Sequence, residues 1–224
     1  MEECRIRNFE EFYEVLRRYR HNHRWKFRGQ SHKDWKLIPK VGRTESWRNA
    51  ERFIFTGWKT AALAHLPIQP ADDWGWLAIG QHHDLATRML DWTHHALTAA
   101  FFAVSTDIEA DAAVYAYRPE NVVGRCEGDP LTHEGIVFYS ASTYVPRIGS
   151  QAALFTVHGP PNLALEDYAG EDHLHKIVIA KEARKEFLFV LSQLGVNWAT
   201  LFPDIDGLSR HFNWVGANLK ELEG

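Results

Sequence analysis

Apolar residues recur at helical spacing through the first half of the chain. Phe9, Phe12 and Leu16 lie on one face of a helix that we predict over residues 9–21. A second apolar stripe predicts another helix over residues 46–66. The first half is therefore expected to be rich in helix.

The helices predicted next along the chain differ in their surroundings. Asp72 is placed to cap a helix that leads into Gln81. Residues 96–104 are almost all apolar, so we predict a helix there that is buried on most sides. Polar residues crowd the segment between these two helices, which makes that segment the first place to look for chemistry.

Strand-like runs, together with two further helices, characterise the rest of the chain. Strands are predicted at residues 25–28, 112–117, 136–139, 152–158 and 175–180. A helix over residues 181–194 should end at Gly195, and a weaker helix is predicted over residues 208–222. No regular alternation of strand and helix occurs, which favours an α+β fold with a mixed or antiparallel sheet.

The arrangement of these elements can also be predicted. We expect the strands at 27–28, 112–117, 152–158 and 175–180 to belong to one sheet system, with the helix at 96–104 packed beneath it. Because no linker, repeat or low-complexity tract interrupts the sequence, residues 1–224 are predicted to form one domain. That domain has an N-terminal helix over 9–21, a motif-bearing body over 25–212 and a C-terminal helix over 208–222.

Composition is that of a globular protein in a reducing compartment. Hydrophobic residues make up 45% of the 224 residues, which supplies the apolar surface for a core. Cys4 and Cys126 form neither a disulfide framework nor a metal-ligand spacing. No leader pattern and no membrane-length apolar run is visible, so we expect a cytoplasmic protein without a membrane partner.

Charge is distributed unevenly along the chain. The net charge is −4, yet ten Lys and Arg residues against one acid lie between Arg17 and Arg43, with aromatic residues among them. Such a stretch in an otherwise acidic protein predicts a small anionic nucleotide, or a short length of nucleic acid, as partner. A solvated basic surface is the structural alternative.

The segment Phe27-Arg28-Gly29-Gln30 is the first that suggests chemistry. A strand would hold the Arg28 guanidinium rigidly, and Gly29 would let a ligand approach the backbone closely. Gln30 offers a further polar contact to such a ligand. An ion pair between Arg28 and an acid across the sheet is the alternative.

A denser polar cluster fills residues 81–95, directly before the apolar helix. It contains Gln81, His82, His83, Asp84, Thr87, Arg88, Asp91, Trp92, Thr93, His94 and His95. Polar groups drawn towards a core need hydrogen-bond partners, either one another or a ligand. Asp91 or Thr93 could cap the helix at 96–104, whose N-terminus would then face an anion.

Several reaction types have no support in the sequence. Histidine is abundant, but adjacent histidines point in different directions and no HExxH spacing occurs, so we expect no bound metal. A GxSxG elbow and a P-loop are also missing. A third segment, Thr200-Leu201-Phe202-Pro203-Asp204, is typical of a structured turn in which Asp204 caps the last helix.

These three segments together resemble the FRG-domain family of bacterial and phage proteins. The matches are Phe27-Arg28-Gly29-Gln30, Gln81-His82 through Asp91-Trp92-Thr93, and Thr200-Leu201-Phe202-Pro203-Asp204. The chain departs from the family at Asp84-Leu85-Ala86, where Gly-Leu-Pro is usual. Family members often occur in mobile-element and defence settings, so the resemblance implies a toxin or phage-defence role.

A looser resemblance links the order of the segments to ADP-ribosyltransferase folds. In those folds an early Arg holds NAD, a middle Ser or Thr supports the nicotinamide pocket, and a late Glu steadies the transition state. The resemblance places Arg28 and Thr93 in the first two roles and Gln151 where the Glu is expected. A neutral amide stabilises positive charge less well than a carboxylate, so Asp91 is the candidate to supply that charge.

These observations lead to one site hypothesis. We expect one pocket to be lined by Arg28, Gln81, His82, Thr87, Arg88, Asp91 and Thr93. Gly29 and Gln30 would add ligand contacts, and Trp92 or another aromatic residue of the pocket would stack on a base.

Three functions follow from this site. The first is an enzyme that acts on a nucleotide, with NAD as substrate rather than bound cofactor, of the ADP-ribosyltransferase or NAD glycohydrolase type. A catalytically silent module that senses a nucleotide or nucleic acid is the second. The third is a metal-dependent hydrolase or nuclease that uses the histidine cluster.

Overall fold

The computed structural model describes residues 1–66, 68–120, 122–123, 127–141 and 154–222. The strands are β1 (Glu2–Ile6), β2 (Lys26–Gln30), β3 (Met89–Trp92), β4 (Ala112–Tyr117), β5 (Val122–Val123), β6 (Gly135–Ser140), β7 (Leu154–Gly159) and β8 (Leu174–Ile179). The helices are α1 (Phe9–Leu16), α2 (Glu45–Ala62), α3 (Asp73–His82), α4 (Ala96–Val104), α5 (Leu165–Tyr168), α6 (Arg184–Gln193), α7 (Trp198–Leu201), α8 (Ile205–Ala217) and α9 (Leu219–Leu222). Within these residues, no helix has the length and apolar character needed to cross a membrane.

The first sheet has the strand order β1-β8-β4-β2. β1 runs parallel to β8, whereas the other two pairs are antiparallel. One face of this sheet packs against α1, α4 and α6 through a cluster that includes Phe27, Val114 and Phe187. α4 is therefore buried against the sheet, as its apolar sequence predicts.

The second sheet has the strand order β3-β7-β6-β5 and covers the other face of the first sheet. β3, β7 and β6 are antiparallel neighbours, and β5 runs parallel to β6. Tyr115 and Leu174 of the first sheet share a buried cluster with Leu90 and Phe138 of the second, so the two sheets face each other. The outer face of the second sheet packs on α2 and α3, with Trp74 at the centre of that contact.

A two-residue bridge joins the edges of the two sheets. The Phe27 amide donates to the Thr93 carbonyl at 2.7 Å, and the Thr93 amide donates to the Phe27 carbonyl at 2.8 Å. This bridge brings β2 beside the end of β3. Arg28 and Asp91, 63 positions apart in sequence, consequently become neighbours.

Gly29 allows α4 to pack directly on β2. A Cβ at this position would lie 2.0 Å from the Ala99 carbonyl oxygen and 2.6 Å from the Ala103 nitrogen, closer than atoms can approach. The space beside Gly29 is thus filled by helix backbone. This side of Gly29 is therefore closed to a ligand, and a ligand contact on the other side of Gly29 stays a prediction.

The α+β fold class is confirmed, and several element bounds match their predictions. The helix at 96–104 and the strand at 112–117 have the predicted limits, and Asp72 and Asp204 cap α3 and α8 as expected. Gly195 follows α6 with a φ of +78°, the left-handed conformation that favours glycine at a helix end.

Other predictions of the arrangement are wrong. The strands of the predicted sheet system divide between two sheets, because β7 pairs with β3 and β6 and not with β4 or β8. α1 ends at Leu16 instead of residue 21, because i to i+3 bonds tighten the chain there and carry Tyr19 into the core. β1 and β3 were not predicted, since acidic side chains interrupt their apolar residues.

The Gly29 contact makes a prediction about stability. Gly29→Ala should lower the free energy of unfolding by more than about 2 kcal/mol in urea denaturation, because β2 and α4 must separate to fit the new methyl group. Gly57→Ala is the control, since Gly57 lies within α2 with open space around it. That substitution should raise stability by about 0.5–1 kcal/mol. Equal effects of the two substitutions would contradict the packing account.

Candidate functional site

A cavity of about 550 Å³ opens where β2, β3, α4 and the connection between α7 and α8 meet. It is lined by Phe27, Arg28, Gly29, Gln81, His82, Asp84, Asp91, Trp92, Thr93, Thr98, Ala99, Phe102, Leu154, Phe155, Leu201, Phe202, Pro203 and Asp204. Residues from all three polar sequence segments therefore converge on one site. The sheet-to-sheet bridge is the structural reason for that convergence.

Arg28 is a largely buried cation that lines this cavity. Its Nη1 donates to the Asp91 carbonyl oxygen at 2.9 Å and lies 3.8 Å from Asp91 Oδ2. The side chain is 16% exposed, and its Nε has no hydrogen-bond partner among the described residues. Burial lowers the pKa of Arg28, while Asp91 opposes that change, and an arginine stays charged at neutral pH. A desolvated charge with so few partners favours an anion in the cavity.

A chain of hydrogen bonds holds the carboxylate beside Arg28. Gln81 Nε2 donates to Asp91 Oδ2 at 2.7 Å, and the Thr87 hydroxyl donates to Gln81 Oε1 at 2.5 Å. Thr87 is buried and does not line the cavity, whereas Gln81 and Asp91 do. Thr87 thus reaches the site through Gln81.

Comparison with known proteins found a match to a family model. The model of the FRG domain matches residues 23–112, a range that contains Arg28, Gln81 and Asp91. Over these residues the chain is similar to the FRG domain. A search of curated proteins and a search of solved structures each found no match.

Arg88, which lies within the matched residues, has a structural role. Its Nε donates to Glu51 Oε1 at 2.8 Å, Nη2 bonds the second Glu51 oxygen, and Nη1 donates to the Pro130 carbonyl oxygen at 3.2 Å. Both partners of this ion pair are buried, and Arg88 does not line the cavity. The prediction that Arg88 belongs to the pocket is therefore wrong, because Glu51 of α2 holds it on the other side of β3.

Trp92 is a wall residue whose ring belongs to the core. Its indole Nε1 donates to the Thr156 hydroxyl at 3.1 Å, its ring packs against Tyr117, and it is only 3% exposed. Thr156 in turn contacts Nε2 of the buried His158, whose Nδ1 lies 2.7 Å from the Leu163 carbonyl oxygen. Burial lowers the pKa of His158 to about 4, so this network is neutral. The predicted stacking of Trp92 on a base has no free ring face to support it.

Two phenylalanines that the sequence analysis did not select provide the aromatic surface. Phe102 of α4 and Phe202, after α7, line the cavity with ring centroids 6.0 Å apart in an edge-to-face contact. Phe102 is partly exposed although it lies in the apolar run 96–104. That exposure depends on which face of α4 meets β2, and the sequence pattern alone does not specify it.

The helix α4 is capped differently from the prediction. Its N-cap is His95, and neither Asp91 nor Thr93 occupies that position. Thr93 contributes its backbone to the sheet bridge, and its hydroxyl accepts a hydrogen bond from the His95 amide at 3.1 Å. Thr93 still lines the cavity, so its predicted place in the site is retained with a different local role.

Asp84 occupies the turn at the end of α3 with a φ of +62°, where glycine is favoured. The Leu85 amide donates to the Gly80 carbonyl across this turn at 2.9 Å, and Lys40 Nζ donates to Asp84 Oδ1 at 3.0 Å. This geometry explains the glycine that is usual at this position in the family. It also places a carboxylate at the mouth of the cavity.

The remaining predicted site residues fall into three groups. His82 lines the cavity and contacts the His83 ring. Gln30 is buried and donates to the Trp35 carbonyl oxygen at 2.8 Å, so it supports the loop after β2 and does not face the cavity. Gln151 lies outside the described residues.

The predicted basic surface is largely paired with acids. Six of its ten cations lie within ion-pair distance of a carboxylate, namely Arg17, Arg18, Arg28, Lys33, Lys36 and Lys40. This pairing lowers the positive potential that a nucleic acid would meet. The nucleic-acid partner for this stretch stays a prediction.

Metal binding would need ligands that converge. Among the described residues, no three His, Cys, Asp or Glu side chains form a group that could hold a metal ion. The metal-dependent hydrolase hypothesis therefore has no candidate ligand set in the part of the chain that the structure describes.

Arg28 and Arg88 predict opposite results in a stability experiment. Arg88→Met leaves the Glu51 carboxylate buried and unpaired, which should lower the free energy of unfolding by about 3–5 kcal/mol. Arg28→Met removes a poorly compensated charge, so stability should stay within about 1 kcal/mol of wild type or increase. Chemical denaturation monitored by circular dichroism measures both. An Arg28→Met loss as large as that of Arg88→Met would show that Arg28 is structural.

Proposed function

We propose that the cavity binds NAD or a closely related nucleotide, and that the FRG domain cleaves the N-glycosidic bond of NAD. The observation that carries the proposal is the largely buried Arg28, which is charged, has no hydrogen-bond partner for its Nε among the described residues, and lines a cavity that Asp91 also lines. The volume of about 550 Å³ lies within the roughly 300–1,000 Å³ typical of small-molecule sites.

Arg28 is the residue for the phosphates of the nucleotide. A guanidinium presents a planar fork that matches two phosphate oxygens, and desolvation strengthens that interaction. Its hydrogen bond to the Asp91 carbonyl fixes the orientation of the side chain before a ligand arrives. Arg28 therefore binds phosphate without first losing a stable ion pair, unlike Arg88.

Phe102 and Phe202 are the residues for a planar ring. Their edge-to-face arrangement leaves aromatic surface on the apolar side of the cavity, where Leu201 and Pro203 also lie. Stacking of a base on an aromatic side chain stabilises binding by about 1–3 kcal/mol. The site thus combines a polar half for phosphate and ribose with an apolar half for nicotinamide or adenine.

Asp91 is the residue for the reacting carbon. Cleavage breaks the bond between ribose C1′ and the nicotinamide nitrogen, and the bonding electrons leave with nicotinamide, which departs neutral. Positive charge develops on the ribose until water, or an acceptor nucleophile that loses its proton, bonds to C1′. A carboxylate held in the cavity stabilises that charge. Water as nucleophile gives a glycohydrolase, and a protein or nucleic-acid acceptor gives an ADP-ribosyltransferase.

A catalytically silent sensing module is the second candidate. It is favoured by Gln151, a neutral amide where the resemblance to ADP-ribosyltransferases expects a carboxylate. In this case the same cavity binds the nucleotide, and Asp91 serves binding alone. The toxin or phage-defence setting that the resemblance implies is compatible with either candidate and stays a prediction.

Binding and reaction can be separated with two variants of the cavity. Arg28→Lys keeps the charge but loses the planar fork, so NAD affinity in calorimetry should fall roughly 10- to 150-fold, equivalent to about 1.5–3 kcal/mol. Arg52→Lys is the control, because Arg52 pairs with Asp129 away from the cavity and its exchange should leave affinity unchanged.

Asp91→Asn should bind NAD within a few-fold of wild type and release nicotinamide at least about 100-fold more slowly, as removal of a preorganised charge does elsewhere. Chromatographic assay of released nicotinamide measures this. Wild-type protein that binds NAD without releasing nicotinamide would establish the sensing module. If wild type neither binds nor consumes NAD, the proposed function is wrong.

A further inference from the structure

We infer that Thr87 and Gln81 are positioning residues that hold the Asp91 carboxylate in the cavity, rather than ligand contacts in their own right. The chemical role of Asp91 rests on the proposed function, whereas the hydrogen-bond relay that positions it does not. Gln81 lies in α3 and Asp91, ten positions later, lies in β3. Thr87, six positions after Gln81, lies in the connection between these two elements.

Thr87 is the fixed end of the relay. It is only 1% exposed, and its hydroxyl oxygen accepts a hydrogen bond from the Met89 amide at 3.1 Å. Its hydroxyl proton is then directed to Gln81 Oε1, 2.5 Å away. A side chain so enclosed cannot touch a ligand, and both of its hydrogen-bonding functions are occupied.

The direction of the relay follows from the chemistry of its members. An ionised carboxylate only accepts hydrogen bonds, so the Gln81 group that lies 2.7 Å from Asp91 Oδ2 must be the NH2. The carbonyl end of the same amide must then face Thr87, which donates to it. Thr87 therefore fixes the flip state of Gln81, and Gln81 fixes the rotation of the Asp91 carboxylate.

Asp91 needs this support because its surroundings leave it free to rotate. Its neighbours Leu90 and Trp92 are buried and fix the strand, but the Asp91 side chain is 58% exposed. Arg28 contacts its backbone carbonyl more closely than its carboxylate. The hydrogen bond from Gln81 is consequently the closest contact that orients the carboxylate.

Gln81→Glu tests the relay through stability, without any ligand. The new carboxyl would face Asp91, and two adjacent carboxylates share a proton, which raises the pKa of the pair above that of the unfolded chain. Stability is then retained at low pH and lost as pH rises through the raised folded-state pKa. We expect a Tm within about 1 °C of wild type at pH 5 and about 2–4 °C below it at pH 8.

A double variant provides the matched control for this experiment. In Gln81→Glu with Asp91→Asn, the Asn amide can donate to the Glu, so the pH-dependent loss should disappear relative to Asp91→Asn alone. Other charged or titratable groups also line this side of the cavity, namely Arg28, His82, Asp84 and Asp204. Their titration affects the double variant and Asp91→Asn alike, so it cancels when the two are compared at each pH. A Tm loss that is equal at pH 5 and pH 8, or that persists in the double variant, overturns the inference.

Thr87→Val and Thr87→Ser test the consequence for the site. Valine has the shape of threonine but no hydroxyl, so nicotinamide release should slow by about tenfold or more while NAD affinity changes less than about threefold. Serine keeps the hydroxyl and should stay within about threefold of wild type in both. Equal rates for the two variants would contradict the relay. If wild type releases no nicotinamide, the proposed catalysis fails, and the pH dependence of Tm decides the relay alone.

Discussion

The two hydrogen bonds between Phe27 and Thr93 are the constraint on which the rest of the site depends. They join the edge of one four-stranded sheet to the edge of the other and set β2 beside the end of β3. The cavity exists because the sheets meet at this corner while α4 and the α7–α8 connection enclose it. Because Gly29 lets the backbone of α4 pack closely on β2, this short strand positions both the junction of the two sheets and the helix that encloses the cavity.

This corner places a charge where a core would not otherwise hold one. Arg88 and Arg184 show how the fold accommodates buried arginines, with three hydrogen bonds to carboxylate or carbonyl oxygens for each. Arg28 lacks such a set among the described residues and faces open volume. Under the proposed function, an anion bound in the cavity would offset the energetic cost of that arrangement. A buried polar group that lacks hydrogen-bond partners indicates a ligand site, whereas a buried polar group with its partners in place indicates a structural network.

Much of the fold and part of the site could be predicted from the sequence. Predictions from local sequence signals were confirmed: Asp72 caps α3, and Gly195 follows the end of α6. Predictions failed where a tertiary contact decides the outcome, as for Arg88, whose partner Glu51 is 37 positions away on α2. The prediction that Trp92 stacks on a base failed for the same reason, because the packing of the two sheets determines which faces of its ring remain open. Convergence of the polar segments was predictable, but the division of their residues between ligand surface and support was not.

The central claim is that Arg28 binds an anion inside this cavity, and nitrogen-15 NMR of the arginine side chains tests it most directly. The Nε–H resonance that is missing from the spectrum of Arg28→Lys belongs to Arg28. The resonance that is missing from the spectrum of Arg88→Lys belongs to Arg88, which serves as the internal reference. The account predicts that NAD shifts the Arg28 resonance saturably while the Arg88 resonance stays in place. An Arg28 resonance that does not move at saturating NAD, or that moves no more than that of Arg88, would contradict it.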